Sequence, residues 1–269
     1  MQYRLSTYFS ALALIALCAS CSVEKYIPEG ERLYTGAEII ITPDSTITNQ
    51  SSLQTELEGV LRPTPNSKIL GGYPYLSVYY KAQREKPGVI NKWLNKKIGE
   101  EPVYQSDVEE FEVESLLRNR LENRGFFYST VSSRFRESET KKRASIIYDL
   151  KVPTPYRMET YQLDTLSPPI YREMISTVAS SPLEKSMRYD LSNLKLERDR
   201  IDYLLKRKGY YNFNPSFLIF EIDTNQYSNK RFDMFLKIKK DVPNKVIVPY
   251  KISKVNVYPN YALKDTLQS

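Results

Sequence analysis

The stretch that decides the fold occurs twice, as LRNRLENRGFF at residues 117–127 and as IDYLLKRKGYY at residues 201–211. In both copies apolar residues recur four positions apart, and a glycine followed by two aromatic residues comes after them. This spacing places the apolar side chains on one face of a helix. Glycine adopts the left-handed backbone conformation at little cost, so Gly125 and Gly209 are expected to end the helices. The repeat predicts two copies of one small domain, 84 positions apart.

Strand-like segments flank each copy. The segments 37–42 and 157–163 come before the first and second copies, and 145–152 and 232–238 come after them. A further segment of this kind, 250–258, is expected to open a third unit. The order strand, helix, helix, strand, strand predicts an α+β fold, with a small mixed sheet and two helices on one face.

The helix of the first copy carries a start signal and an apolar stripe. Ser106 and Glu109 have the spacing of a capping box, and Val113, Leu117 and Leu121 follow at helical spacing.

In the second copy either Asp190 or Ser192 is expected to cap the helix. The apolar stripe there consists of Leu194, Ile201 and Leu205. In the first copy, Phe126 and Phe127 are expected to open the strand after the helix.

Composition excludes several classes of chemistry. The 269 residues include no histidine, and the only two cysteines are Cys18 and Cys21. The chain therefore lacks the commonest general base and metal ligand, and we expect no metal site, no cofactor and no histidine-dependent triad. The net charge of +7 is suited to anionic surfaces.

The N-terminus has the pattern of an export signal. Arg4 precedes an apolar run at residues 9–17, which is too short to span a bilayer, and Cys18-Ala19-Ser20-Cys21 follows. Small residues before a cysteine resemble a bacterial lipobox, so residues 1–20 are predicted to be a signal peptide and Cys21 to be lipidated. The alternative is an ordinary cleaved signal followed by a chance cysteine. Export makes a nucleic-acid partner unexpected.

The helix that ends in Gly-aromatic-aromatic, within this element order, resembles the POTRA domain of the BamA/TamA superfamily of outer-membrane insertases. Three further stretches, 26–31, 65–71 and 93–103, resemble the lipoprotein branch of the translocation-and-assembly-module family, TamL. The resemblance implies a lipid-anchored outer-membrane protein whose modules face the periplasm. It also implies binding to unfolded outer-membrane proteins, an inner-membrane-anchored partner and a β-barrel downstream in the full-length protein. The alternative to a downstream barrel is a free-standing lipoprotein that kept only the modules.

The predicted organisation has four parts. They are a signal peptide at 1–20, a first POTRA-like module at 21–153 with an insert at about 62–103, a second module at 154–246, and the start of a third at 247–269.

A module without catalytic residues can act through an open sheet edge, where an extended client chain adds a strand by backbone hydrogen bonds. The expected edges are Phe213–Phe220 and Phe127–Phe135, and interior strands are an equally good interpretation. The aromatic residues that mark these edges are Phe213, Phe217, Phe220, Phe127 and Phe135.

The insert interleaves aromatic and basic residues, a composition typical of the membrane interface. The candidate membrane-proximal residues are Tyr73, Tyr75, Tyr79, Trp93, Lys96 and Lys97. The alternative is that these aromatics pack on the core of their own module, and for Trp93 this alternative is favoured.

Glu109, Glu110, Glu112 and Glu114 form an acidic cluster, which is best explained as a solvated helix face. No catalytic residue is assigned, and the chain is expected not to be an enzyme. Two other functions stay open: a structural scaffold between the outer membrane and a periplasm-spanning partner, and a carboxylate-based enzyme acting on cell-wall glycan.

Overall fold

The computed structural model describes residues 23–45, 47–138, 140–164 and 169–259. The predicted signal peptide and Cys21 lie outside the described residues. The described part of the chain divides into two compact units, and the boundary in the sequence falls between Thr154 and Pro155. Each unit contains one three-stranded sheet.

The first unit surrounds its sheet with helices. Its elements are β1 (Leu33–Pro43), α1 (Gln50–Glu58), α2 (Pro74–Ala82), α3 (Val89–Ile98), α4 (Glu110–Asn123), β2 (Thr130–Glu137) and β3 (Arg143–Val152). The strand order is β1-β3-β2, with β1 parallel and β2 antiparallel to the central β3. Helices α2 and α3 lie within the insert.

One face of the first sheet is covered by α1 and α4. Alternate residues of β3 (Ile146, Tyr148 and Leu150) are buried, which is the two-residue period of a strand with one face in a core. The predicted stripe of α4 is buried in the same cluster, together with Leu53 and Leu57 of α1. The stripe is therefore confirmed, and burial of each leucine contributes about 1.5–3 kcal/mol.

The second unit repeats this architecture without the insert. Its elements are β4 (Arg157–Leu163), α5 (Ile170–Ala179), α6 (Leu191–Arg207), β5 (Leu218–Asp223) and β6 (Arg231–Ile238). The strand order is β4-β6-β5, with β4 parallel and β5 antiparallel to β6. The chain thus folds as tandem POTRA-like modules of the α+β class, and the predicted fold class is confirmed.

Helix α6 begins at the predicted cap. The Asp190 carboxylate accepts a hydrogen bond of 2.9 Å from the Ser192 N–H, which satisfies a donor that the first helical turn leaves free. The predicted apolar stripe of α6 is buried, with Ile201 and Leu205 at 0% exposure.

The predicted capping box of α4 is wrong. The Ser106 hydroxyl donates to Glu31 at 2.9 Å, and Glu109 precedes the helix, which begins at Glu110. Residues Gln105–Asp107 form a 3-10 turn instead, capped where the Tyr104 N–H donates to the Asp107 carboxylate at 2.7 Å. Because Ser106 lies within this turn, it is not at the position that caps α4.

Phe126 and Phe127 do not open a strand, contrary to the prediction. Gly125 has φ of +83° and reverses the chain, so the Phe126 N–H donates to the Leu121 carbonyl at 3.0 Å. This bond closes the helix end in the manner of a Schellman motif. Phe126 is 1% exposed, so the first aromatic residue fills the core below the helix end, and β2 begins only at Thr130.

The segment 250–258 is not part of a sheet in the structure, so the strand expected there is not observed. Its first residue is nevertheless fixed, because the Tyr250 N–H donates to the Gly209 carbonyl at 2.7 Å. A Cβ on Gly209, whose φ is +95°, would lie 2.6 Å from the Tyr250 carbonyl oxygen. The close approach explains why glycine stands there. A third module starting in this region stays a prediction.

Candidate functional site

The two sheets have four outer strands, because the central strand in each is β3 or β6. The outer strands are β1 and β2 in the first unit and β4 and β5 in the second. An outer strand presents unpaired backbone N–H and C=O groups, and these can pair with an incoming extended chain unless another segment covers them.

The outer edge of β1 is covered at its start by the chain that leaves the insert. The Tyr34 N–H donates to the Val103 carbonyl at 2.9 Å, and the Gln105 N–H donates to the Arg32 carbonyl at 2.8 Å. These bonds form an antiparallel bridge between Leu33 and Tyr104. An extended client therefore cannot pair with the beginning of β1.

The start of β4 is covered in the same way by the segment that leads into α6. The Met158 N–H donates to the Met187 carbonyl at 2.9 Å, and the Ser186 N–H donates to the Met158 carbonyl at 2.7 Å. An antiparallel bridge joins Arg157 and Arg188. Both modules thus cover the start of the first strand.

Strands β2 and β5 are paired on one side only. Among the described residues, no backbone group of β2 or β5 forms a hydrogen bond on the side away from its sheet partner. These two strands are open edges, and they partly overlap the two stretches in which candidate edges were expected, Phe127–Phe135 and Phe213–Phe220. The open edges run over Thr130–Glu137 and Leu218–Asp223.

Of the five aromatic candidates for the strand edges, two lie in the strands and three precede them. Phe135 lies in β2 and Phe220 in β5, and both are half-buried. Phe127, Phe213 and Phe217 precede the strands, and Phe213 is 2% exposed within the core. These three side chains are therefore not part of an edge, because the chain turns after each helix-ending glycine before the strand begins.

The two open edges differ in charge. The outward face of β2 carries two ion pairs, from Arg134 to Asp149 at 3.0 Å and from Arg136 to Glu38 at 3.2 Å. Charged side chains along an edge oppose uncontrolled pairing with other sheets.

Strand β5 exposes an apolar residue, since Ile219 is 41% exposed. It also carries two acidic residues, Glu221 and Asp223. Lys237 of the neighbouring β6 lies 2.9 Å from Glu221 and 3.0 Å from Asp164. The hydrogen bond to Glu221, and next that to Asp164, raise the pKa of Lys237 and keep the ammonium charged. The edge of β5 thus combines an exposed apolar residue with acidic side chains, whereas that of β2 carries two arginines.

Tyr73 was a candidate membrane-proximal residue, and the structure overturns this prediction. Its side chain is 2% exposed and packs with Val23, Leu33 and Leu76. Burial raises its pKa, against the opposing effect of the nearby guanidinium of Arg143. Tyr75 and Tyr79 are half-buried. The tyrosines of α2 therefore largely follow the alternative interpretation, in which they pack on their own module.

Trp93, in contrast to Tyr73, is exposed to solvent. It was expected to pack on the core, yet it is 60% exposed on α3, and Lys96 and Lys97 beside it are exposed as well. The packing interpretation is wrong for Trp93, because α3 turns a different face of the helix toward the module.

The sequence did not predict that the two ends of the insert are joined by hydrogen bonds. We call this set of bonds, between residues 66–67 and residues 100–103, the clasp. Asn66 is 8% exposed; its side-chain oxygen accepts from the Val103 N–H at 2.9 Å, and its amide donates to the Glu101 carbonyl at 2.6 Å. The Ser67 N–H donates to the Glu100 carboxylate at 2.8 Å. Both ends lie in stretches already noted for their resemblance to TamL, which is the signal that could have revealed the pairing.

Glu100 is the ionised member of this clasp. Burial raises its pKa, but the hydrogen bonds that it accepts from Ser67 and Asn66 outweigh burial and hold the pKa below the ordinary value of 4.5. The charged form is therefore the one that the clasp stabilises.

The acidic cluster is split between two environments. Glu110 and Glu114 both accept hydrogen bonds from the Ser133 hydroxyl of β2, at 2.9 and 2.7 Å. Glu109 and Glu112 are exposed. A hydrogen bond with Glu112, followed by its negative charge, raises the pKa of Glu109. Half of the cluster thus belongs to the α4–β2 contact and half to a solvated face.

Glu109 and Glu112 also line an open groove of about 460 Å³, together with Asp107, Arg62, Pro63, Thr64, Val113 and Leu116. Within the described residues no group of three or more acidic, histidine or cysteine side chains is arranged to hold a metal ion. The described helices also include none that is both long and apolar enough to cross a bilayer.

Solved structures that the chain resembles include fragments made of POTRA domains. A Haemophilus influenzae BamA fragment with POTRA domains 3–5 is 16% identical and has a TM-score of 0.32, over 80% of this chain and 99% of the other. POTRA domains 1–2 of Omp85 from Anabaena are 13% identical with a TM-score of 0.34, over 78% and 96%.

BamA of Haemophilus ducreyi lacking POTRA domains 1–3 is 14% identical, with a TM-score of 0.36, and aligns over 77% of this chain and 29% of its own. No protein-family model and no curated protein matches the chain. The assignment of POTRA-like modules rests on the element order and sheet topology of the chain itself.

Proposed function

We propose that this chain is the periplasmic POTRA portion of an outer-membrane protein assembly factor of the BamA/TamA superfamily, closest to its lipoprotein branch. In this proposal its modules bind unfolded outer-membrane proteins by strand addition and contact an inner-membrane-anchored partner. The single observation that carries the proposal is the pair of edges, β2 and β5, that are open along their length in modules whose first strands are covered at their starts.

Strand addition matches the chemistry of such clients. Unfolded outer-membrane proteins differ in sequence but share an extended backbone with free N–H and C=O groups. An open edge binds that backbone through main-chain hydrogen bonds and therefore accepts many sequences. No catalytic side chain is needed, and we assign none.

The location is part of the same proposal. Cys21 follows a lipobox-like sequence, and a lipid there would anchor the modules to the outer membrane on its periplasmic side. One acyl chain gives only marginal membrane binding, so stable anchoring requires more than one chain on Cys21. The downstream β-barrel stays a prediction.

Amide hydrogen exchange on the full chain tests the proposal directly. The ligand is a synthetic peptide with the sequence of one strand of an outer-membrane barrel protein. We expect alternate amides of β2 or β5 to exchange more slowly in its presence, because alternate N–H groups of an edge strand point outward. The amides at the covered starts of β1 and β4 serve as internal controls and should not change.

A matched peptide in which every second residue is proline is the ligand control, since proline has no N–H to donate. Equal protection by both peptides, or protection confined to helices, would contradict strand addition. Absence of protection by any client peptide would instead favour the scaffold function.

A further inference from the structure

Helix α3 exposes an apolar face. None of its ten residues is buried. Val89, Ile90 and Trp93 are 85%, 74% and 60% exposed. At 100° per residue these three side chains share one arc of the helix. Large apolar side chains grouped in this way on a surface mark an interaction site.

The orientation of α3 is set by its opposite face, which packs on the first unit. Asn91, Leu94 and Asn95 are half-buried and lie on the arc away from Trp93. The helix also packs against α2. The direction in which Trp93 points is therefore set by packing within the first unit.

The charge of this segment is of one sign. Residues 86–99 contain four lysines and no acidic residue. Three of the lysines, at positions 92, 96 and 97, are exposed on α3 itself. An apolar arc flanked by lysines and containing a tryptophan is complementary to a surface with negative charge above hydrocarbon.

The first described residues of the chain, which follow the predicted anchor Cys21 in the sequence, pack against α2. Val23 is fully buried and Ile27 is 3% exposed, and both pack with Tyr73 and Leu76 of α2 and its N-terminal flank. The Lys142 ammonium also donates to the Ile27 carbonyl at 2.9 Å. Only two residues' length, about 7 Å when extended, separates Val23 from Cys21.

We propose that α3 is an interfacial helix that binds an anionic phospholipid surface. Val89, Ile90 and Trp93 enter the headgroup region, and the lysines extend to the phosphates. The helix face is a second binding surface, distinct from the open strand edges. Its closeness to the membrane rests on the proposed lipidation of Cys21, whereas its affinity for anionic lipid depends on α3 alone.

Trp93 is the only tryptophan in the chain, so native fluorescence reports on this helix. The full chain is incorporated into vesicles of phosphatidylcholine alone or of phosphatidylcholine with phosphatidylglycerol. In the anionic vesicles we expect a blue shift of the emission and quenching by lipids with brominated acyl chains, both of which are lost at high salt. The same emission in both kinds of vesicle and in detergent, without quenching, would overturn the proposal.

Charge-reversal variants distinguish a specific role of the α3 lysines from a general effect of the net charge of the chain. The triple variant Lys92→Glu, Lys96→Glu, Lys97→Glu should weaken binding of the helix to the anionic surface by about 100-fold. The reason is that each lysine near such a surface adds a similar share of the binding free energy. Its matched control, which makes the same change in net charge on exposed residues of the second unit, is Lys239→Glu, Lys240→Glu, Lys245→Glu. Equal loss in both variants would show general attraction and overturn a specific role for α3.

A second pair of variants tests the apolar face. Val89→Ser with Ile90→Ser should reduce quenching of Trp93, whereas Ile175→Ser with Ile252→Ser, which changes two exposed apolar residues outside α3, should not. Vesicle flotation reports the lipid anchor separately. A chain that floats with vesicles while Trp93 stays unquenched overturns the helix proposal and leaves the anchor standing. Salt-sensitive quenching supports the helix, and if mass spectrometry finds no acyl group on the same native chain, the anchor is contradicted.

Discussion

At the scale of single residues, Glu197 of α6 is a charged side chain in the core of the second unit, only 1% exposed. Its carboxylate accepts hydrogen bonds from Arg200 at 2.7 and 2.8 Å and from the Tyr161 hydroxyl at 3.2 Å. The hydrogen bonds to Glu197 outweigh burial and raise the pKa of Arg200. Arg200 also donates to the Thr177 carbonyl of α5, so this one side chain joins both helices of the module.

Replacing Arg200 by methionine keeps much of the side-chain volume and leaves Glu197 buried without its partner. We expect Arg200→Met to lower the free energy of unfolding of the second module by about 3–5 kcal/mol, measured by urea denaturation. Lys208→Met is the control, because the Lys208–Glu173 pair is exposed and 3.7 Å apart; it should cost less than about 1 kcal/mol. Similar losses for both variants would contradict the role given to the buried pair.

The clasp at Glu100 should respond to pH. Its pKa is lower in the folded state than the ordinary 4.5, so its contribution is present above about pH 4.5 and is lost as the pH falls through the lowered value. We expect the Ser67 amide to exchange faster in that acidic range, after correction for intrinsic exchange. Glu100→Gln should remove this pH dependence, and Glu101→Gln should preserve it. A Ser67 amide indifferent to pH in the native chain would refute the prediction.

At the scale of secondary-structure elements, the modules distinguish their two outer strands. Segments that lead into α4 and α6 cover the starts of β1 and β4, and β2 and β5 are left open. Both open strands carry charged residues, and β5 also exposes the apolar Ile219. An exposed apolar side chain can pack against an apolar residue of a client strand, so we expect β5 to bind more readily than β2.

Cross-linking through a single cysteine tests this preference. The only native cysteines are Cys18 and Cys21, so an introduced cysteine is the sole free thiol once the signal is removed and Cys21 is acylated. A thiol-reactive client peptide should label Ile219→Cys several-fold more than Ile175→Cys, which is 59% exposed on α5. Labelling in proportion to exposure alone would mean that β5 has no special affinity.

At the scale of the whole molecule, the chain combines two modules of one architecture with an N-terminal segment fixed to the first of them. The Glu24 carboxylate pairs with Arg143 at 2.5 Å, and Val23 is enclosed beside α2. In the sequence, Cys21 stands two positions before this enclosed valine.

The two cysteines of the leader provide a matched test of anchoring. We expect Cys21→Ser to abolish acylation, detected by mass spectrometry of the mature N-terminus, and to release the chain from washed membranes. Cys18→Ser should leave acylation and membrane retention intact, because Cys18 belongs to the removed signal. If both variants retained the chain equally, the anchor would not be at Cys21.

Much of the fold was predictable because its determinants are local. The stripe at Val113, Leu117 and Leu121 is periodic in the sequence, and burial follows from the period alone. Gly209 marks a helix end through its backbone freedom. The failures share one cause: the capping box at Ser106 and the strand start at Phe126 both depend on how the chain turns after a local signal, which neighbours in space decide.

The sequence by itself determined the element order, the duplicated module and the residues of each helix stripe, since each depends on spacing along the chain, and the export signal stays a prediction. Only the tertiary structure decided which strands are open, because an edge is defined by hydrogen bonds with segments distant in sequence, such as Val103 with Tyr34. It also decided that Tyr73 is enclosed while Trp93 faces solvent. Both residues stand in the same aromatic and basic insert, and only the packing of α2 and α3 assigns one to the core and the other to the surface.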